Sequence, residues 1–93
     1  MTKKTDSVPE PLRRLLSTYL VVEAVNLESL RRYLQSPRGG EDSRKFRDQL
    51  NAAIEANSIS PPIYEELTGE DFDTQAELNV WLTKVRDKLY AIS

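Results

Sequence analysis

The chain has 93 residues, 39% hydrophobic and 30% charged, a balance that fits one ordinary globular domain and neither a disordered nor a fibrous chain. It contains no cysteine and no histidine, which removes disulfides, thiolate nucleophiles and thiolate metal sites, together with the commonest general base and the commonest transition-metal ligand. The net charge of −2 conceals a segregation: residues 1 to 47 hold ten Lys/Arg against six Asp/Glu, and residues 48 to 93 hold three against nine.

The opening Met-Thr-Lys-Lys-Thr-Asp-Ser-Val-Pro-Glu-Pro starts positive but has no apolar run behind it. No stretch approaches the roughly 18 apolar residues of a membrane span, so a cytoplasmic protein is expected. Residues 1 to 7 read as a flexible segment ahead of a single helical domain over 8 to 93. Ser7 and Glu10 have the spacing of a capping box, which predicts that the first helix starts there. Leu12, Leu15, Leu16, Tyr19 and Leu20 then form one apolar stripe at helical period, leaving Arg13 and Arg14 off it.

Val21 to Val25 either extend this helix or form a short β-branched exit, with fraying near residue 23 favoured. Asn26 is the expected N-cap of a second helix, with Leu27, Leu30 and Leu34 inward, Tyr33 beside them and Arg31 and Arg32 outward. Ser36-Pro37-Arg38-Gly39-Gly40 should end it in a loop, because proline restricts its predecessor and paired glycines cost helical entropy. Asp42 or Ser43 then caps a third helix carrying Phe46, Leu50, Ala53 and Ile54 and ending near Asn57. Ser60 before Pro61, with Gly69 as a left-handed stop, predicts a short fourth helix over 61 to 68 whose apolar side is Ile63, Tyr64 and Leu67. Thr74 to Glu77 is a second capping box, followed by the stripe Leu78, Trp81, Leu82, Val85 and Leu89. Lys84, Arg86 and Lys88 fall in its later turns, at the negative end of the helix dipole. No alternating strand pattern occurs, so the expected fold is all-α, a compact bundle of four to five short amphipathic helices.

Residues 65 to 77 carry six carboxylates and no basic residue. Asp73 and Glu77 sit near a helix start, where the dipole stabilises them by about 0.3 to 1 kcal/mol each. Glu65 and Glu66 approach a helix C-terminus, where negative charge is unfavourable, and that account does not cover them. The alternatives are a solvated face or a partner-binding surface made of Tyr64, Glu65, Glu66, Glu70, Asp71, Asp73 and Glu77. In the second, the acids complement a basic partner and Tyr64 is an aromatic anchor; its plain alternative is packing against the fifth helix. Trp81 and Tyr19 lie on apolar stripes and read as core.

Other chemistry finds little support. A calcium loop begun at Asp71 needs glycine at its sixth position and glutamate at its twelfth, where this chain has Ala76 and Leu82. Glu70 and Asp73 would serve as acid and base only across a cleft that separated their pKa values. No motif indicates an enzyme or a cofactor. The arginines at 13, 14, 31, 32, 38, 44 and 47, with Lys45, suggest an alternative: a small helical nucleic-acid-binding regulator. A pI near 5 and a long, irregular loop from Pro37 to Asp42 weigh against it. A third class, a subunit of a larger assembly, would make contact through Val21, Val22 and Val25.

Pro-Leu-Arg-Arg-Leu-Leu-Ser-Thr-Tyr-Leu (11 to 20), the Leu-x-x-Leu-x-x-Tyr-Leu of the second helix, and Leu-Thr-Gly-Glu-Asp-Phe-Asp-Thr-Gln-Ala-Glu-Leu-Asn-Val-Trp-Leu (67 to 82) also carry a family likeness. They resemble the small all-helical bacterial immunity proteins encoded beside toxins of contact-dependent growth inhibition and related polymorphic systems. The resemblance implies a protein that binds one cognate toxin domain in the cytoplasm and neutralises it without chemistry. Many such toxins are nucleases with basic clefts, which a carboxylate-rich surface would match.

Overall fold

The computed structural model describes residues 8–90, and in that span a few local devices set where each helix begins and ends. Helix α1 (Leu12–Tyr19) turns Leu12, Leu15 and Leu16 inward. It starts later than the Ser7 and Glu10 spacing predicts; Ser7 itself lies outside the described residues. Pro11 holds the N-cap position and has no side-chain acceptor to offer the first amides. Gln49, from a helix further along the chain, supplies the missing groups: its Oε1 accepts from the Leu12 amide at 3.1 Å and its Nε2 donates to the Glu10 carbonyl at 2.8 Å. The Glu10 carboxylate accepts from the Arg14 amide at 3.0 Å. These contacts satisfy donors that the start of a helix leaves orphaned.

The chain leaves α1 at Tyr19 rather than fraying near residue 23. Val22–Ala24 form a single 3-10 turn, closed by the Ala24 amide on the Val21 carbonyl at 2.8 Å, and the Asn26 amide returns to the Tyr19 carbonyl at 2.9 Å. Helix α2 (Leu27–Gln35) opens as expected on Asn26, whose side chain accepts from the Ser29 amide at 3.0 Å. Leu30 and Leu34 are buried, while Arg31 and Arg32 are exposed.

Helix α3 (Gly40–Ala56) corrects the expected loop. Its N-cap is Gly39, not Asp42 or Ser43, and the connection from α2 shrinks to residues 36–39. The backbone at Gly39 passes so close to the Tyr33 carbonyl that a Cβ would overlap it. Only glycine lets the two helices join this tightly. Ser36 locks the turn, its hydroxyl donating to the Tyr33 carbonyl at 2.6 Å and accepting from the Gly39 amide at 3.2 Å. The helix ends at Asn57, which takes the left-handed conformation with φ 52°.

Helix α4 (Pro61–Thr68) and helix α5 (Gln75–Leu89) match the sequence reading closely. Gly69 stops α4 with φ 82°, and the Thr74 hydroxyl accepts from the Glu77 amide at 3.1 Å. The inward side of α4 differs, however: Tyr64 and Thr68 are buried, and Ile63 and Leu67 are only partly so. Thr68 is tolerated there because its hydroxyl donates to the Tyr64 carbonyl at 2.9 Å and accepts from the Glu70 amide at 3.1 Å.

Among the described residues all regular elements are helical, so the fold is all-α. Helix α5 packs against α2 and α3, and α1 packs against α2, α3 and α4. Between them lie Leu12, Leu16, Leu20, Leu30, Phe46, Leu50, Tyr64, Leu78, Leu82 and Val85, all at 0% exposure. The radius of gyration of 12.5 Å equals the roughly 12 Å expected for a fully collapsed chain of this length, so one core accounts for the whole fold.

Candidate functional site

The acidic segment runs from the second half of α4 through residues 69–74 into the first turn of α5. Glu65, Glu66, Asp71, Asp73 and Glu77 are exposed and Glu70 is half-buried. None of the six belongs to an ion pair among the described residues, whose pairs all involve other carboxylates: Glu10, Glu28, Asp42, Asp48 and Asp87. The reason is visible in the chain itself. From Asp48 to Thr83 there are eight Asp/Glu and not one Lys/Arg, so no cation on the same stretch is available to them.

Tyr64 departs from its expected role. It is at 0% exposure, and so it presents no surface to a partner; the alternative reading, packing against α5, is the one realised. Trp81 Nε1 donates to its hydroxyl at 2.7 Å, and Phe72 meets its ring edge-on with centroids 5.7 Å apart. Burial pushes the Tyr64 hydroxyl up to about 12, and the negative charge of Glu70 adds to the shift. Tyr64 is thus the post on which the acidic connection is mounted. Phe72 ties the middle of that connection to it, Thr68 holds Glu70, and Thr74 holds Glu77. Gln75 fixes the start of α5 by donating to the Ile59 carbonyl at 2.8 Å.

The arginine-rich half is organised differently. Arg14 Nη2 and the Tyr33 hydroxyl both donate to Asp42 Oδ2, each at 2.7 Å. The Tyr33 hydrogen bond, then that of Arg14, holds the Asp42 carboxyl below its ordinary value, and the same bonds push Tyr33 and Arg14 up. Arg13 pairs with Glu10 and Arg32 with Glu28. Arg31 lies beside Lys88 of α5 around an open depression that Leu27 and Glu28 also line. Another open depression, of about 360 Å³, is bordered by Gly40, Glu41, Arg44 and Lys45. Sequence reasoning did not link Lys88 to the arginines, because that proximity depends on how α5 crosses α2.

Among the described residues no group of three or more His, Cys, Asp or Glu side chains is placed to hold a metal ion, and no helix is long and apolar enough to cross a membrane. Three valines of the surface stand out: Val22, Val25 and Val80, at 46%, 40% and 56% exposure. Comparison with protein-family models, with curated proteins and with solved structures gave no match.

Proposed function

We propose that this chain is a binding protein that engages a basic surface on a protein partner through Glu65, Glu66, Glu70, Asp71, Asp73 and Glu77. With the resemblance described above, we read it as a cytoplasmic immunity protein that neutralises one cognate toxin domain. The observation that carries the binding role is the set of six carboxylates, none in an ion pair among the described residues, on and around a connection that Tyr64, Phe72 and Thr68 pin from beneath. A pinned loop loses little conformational freedom on docking, which lowers the cost of association. Unpaired charges of one sign also steer an oppositely charged partner and make the encounter rate depend on salt. No catalytic step is needed for such a role.

The test begins with a tagged chain expressed in its native host and recovered at low and high salt. A single basic toxin domain, retained at low salt and released as salt rises, is the expected partner. Reversing Glu66, Glu70 and Asp71 to lysine should then weaken that complex at least tenfold. Unchanged affinity would remove the acidic interface from the reading.

One observation favours a second reading, that of a nucleic-acid-binding regulator. The α2 to α3 connection is four residues long and ends in glycine, which removes the objection that the loop was long and fits the short turns of helix-turn-helix units. Glu41 and Asp42 in the first turn of α3 act against it, since that turn would face phosphates and base edges. A gel shift with mixed DNA at low salt that gives no complex would dispose of this reading.

A further inference from the structure

Helices α1, α2, α3 and α5 brace one another: α1 packs on α2 and α3, α2 packs on α3, and α5 packs on α2 and α3. Helix α4 stands outside this set and packs chiefly on α1. The segment that holds it, residues 57–69, is bounded by two left-handed residues, Asn57 at φ 52° and Gly69 at φ 82°. Among the buried apolar residues only Ile59 and Tyr64 lie between them. Side chains of α5 reach across to this segment. Gln75 Nε2 donates to the Ile59 carbonyl at 2.8 Å, Asn79 Nδ2 donates to Asn57 Oδ1, and Trp81 Nε1 donates to the Tyr64 hydroxyl at 2.7 Å. Gln75 and Asn79 are themselves joined, Nε2 to Oδ1, at 3.1 Å. At the other end the 3-10 turn abuts the segment, since a Cβ built on Gly69 would lie 3.2 Å from Val22 Cγ1.

From this arrangement we infer that residues 57–69 form a latched strap, which opens as one unit while the other four helices stay folded. Its hinges are Asn57 and Gly69, element-terminal residues of the kind that absorb large backbone changes. Its latch is the row Gln75, Asn79 and Trp81 on α5. Opening sacrifices the burial of Ile59 and Tyr64 and the bonds of the latch, whereas global unfolding gives up the whole core, so the strap opens at the lower free-energy cost. Glu65 and Glu66 ride on the strap and the Glu70 amide is held by Thr68 within it. The latch therefore sets how firmly that part of the acidic run is held in place. The device operates whatever those carboxylates contact.

Native-state hydrogen exchange of the full chain labelled with 15N, followed at rising denaturant below the unfolding transition, reads each opening amide by amide. The amides of Tyr64, Leu67 and Thr68 should exchange faster than those of Leu50 and Leu82 and converge on one denaturant dependence of their own. Gln75→Ala, which strips the latch bond to Ile59, should speed exchange at Tyr64, Leu67 and Thr68 by about two- to tenfold. Asp42→Ala removes a cluster that joins α1, α2 and α3 and that stays intact in the opened form. It should speed Leu50 and Leu82 by about ten- to a hundredfold and leave the three α4 amides at their wild-type rates. Tyr33→Phe, which removes one of the two donors to Asp42, should repeat that split on a smaller scale and stands in where Asp42→Ala unfolds. Equal acceleration of α4 and core amides by Asp42→Ala or Tyr33→Phe would make the chain one cooperative unit and overturn the strap. Unchanged exchange at Tyr64, Leu67 and Thr68 in Gln75→Ala would overturn the latch.

Discussion

Two regions of this molecule carry dense charge and handle it in opposite ways. Around α1 to α3 several charges are met within the chain: Arg14 and Tyr33 converge on Asp42, Arg13 meets Glu10, and Arg32 meets Glu28. From the second half of α4 through residues 69–74 into the first turn of α5, six carboxylates have no ion pair among the described residues. In the first arrangement the Asp42 cluster ties α1, α2 and α3 together, and the second leaves its charge open to something outside the chain. Stability and binding should therefore respond to charge substitution in different halves.

The largest effect expected from this contrast is at Asp42. Asp42→Ala strips the acceptor from both Arg14 and Tyr33 and should lower stability by about 1.5 to 3 kcal/mol, the usual range for a hydrogen bond to a charged group. Chemical denaturation measures it. The triple reversal of Glu66, Glu70 and Asp71 should not lower the same midpoint, and at low ionic strength should raise it; a loss comparable to that of Asp42→Ala would break the contrast. Next comes Tyr64→Phe, which deletes the acceptor for Trp81 Nε1 and should cost about 0.5 to 1.5 kcal/mol. Because Tyr64 is a support and not a contact, partner affinity should fall less than for the carboxylate reversals. Smaller still, Glu65→Gln with Glu66→Gln relieves charge at the negative end of α4 and should raise stability by about 0.3 to 1 kcal/mol for each change at low ionic strength, an increase that salt erases.

Titration sharpens the comparison from both sides. The Asp42 pKa is lowered from its ordinary 3.8 in the folded state, so its contribution is complete above that value and is lost as pH falls through the lower one. Acid unfolding of Asp42→Asn should therefore be shallower than that of the wild-type chain. Tyr64 is raised to about 12 from 10. Its contribution is complete below pH 10 and is lost as pH rises towards 12, which makes Tyr64→Phe less sensitive to alkali over that window.

What the sequence disclosed and what it hid divide along physical lines. Asn26, Pro61, Gly69 and Thr74 act on amides or dihedrals within a few residues of themselves, and the boundaries they predict are found in place. The carboxylates of residues 65 to 77 were legible for a similar reason, since a run without cations has little chance of internal pairing. Gln49 reaches the start of α1 from 37 positions away, and nothing near Leu12 announces it. Gly39 looked like a loop residue because glycine is a poor helix former, whereas its use here is to let the chain pass the Tyr33 carbonyl. Tyr64 read as a surface anchor because it is an aromatic beside a run of carboxylates, with packing against the fifth helix as its plain alternative. In the fold Tyr64 is buried together with Thr68, and Phe72 and Trp81 meet it there. The Val22 contact with Gly69 was equally hidden, because it joins two turns that only the packing of α1 on α4 brings together.

The hydrogen bond between Trp81 and Tyr64 has an optical consequence. Trp81 is the one tryptophan in the chain, half-buried, with its indole N–H held by the phenol that supports the acidic connection. Its emission maximum and quantum yield therefore register any displacement of Phe72 or Glu70 transmitted through that phenol. Ionisation of Tyr64 would place a phenolate directly against the indole and quench it. Binding at the carboxylate face can thus be followed by intrinsic fluorescence without a label, with excitation at wavelengths where the four tyrosines absorb little.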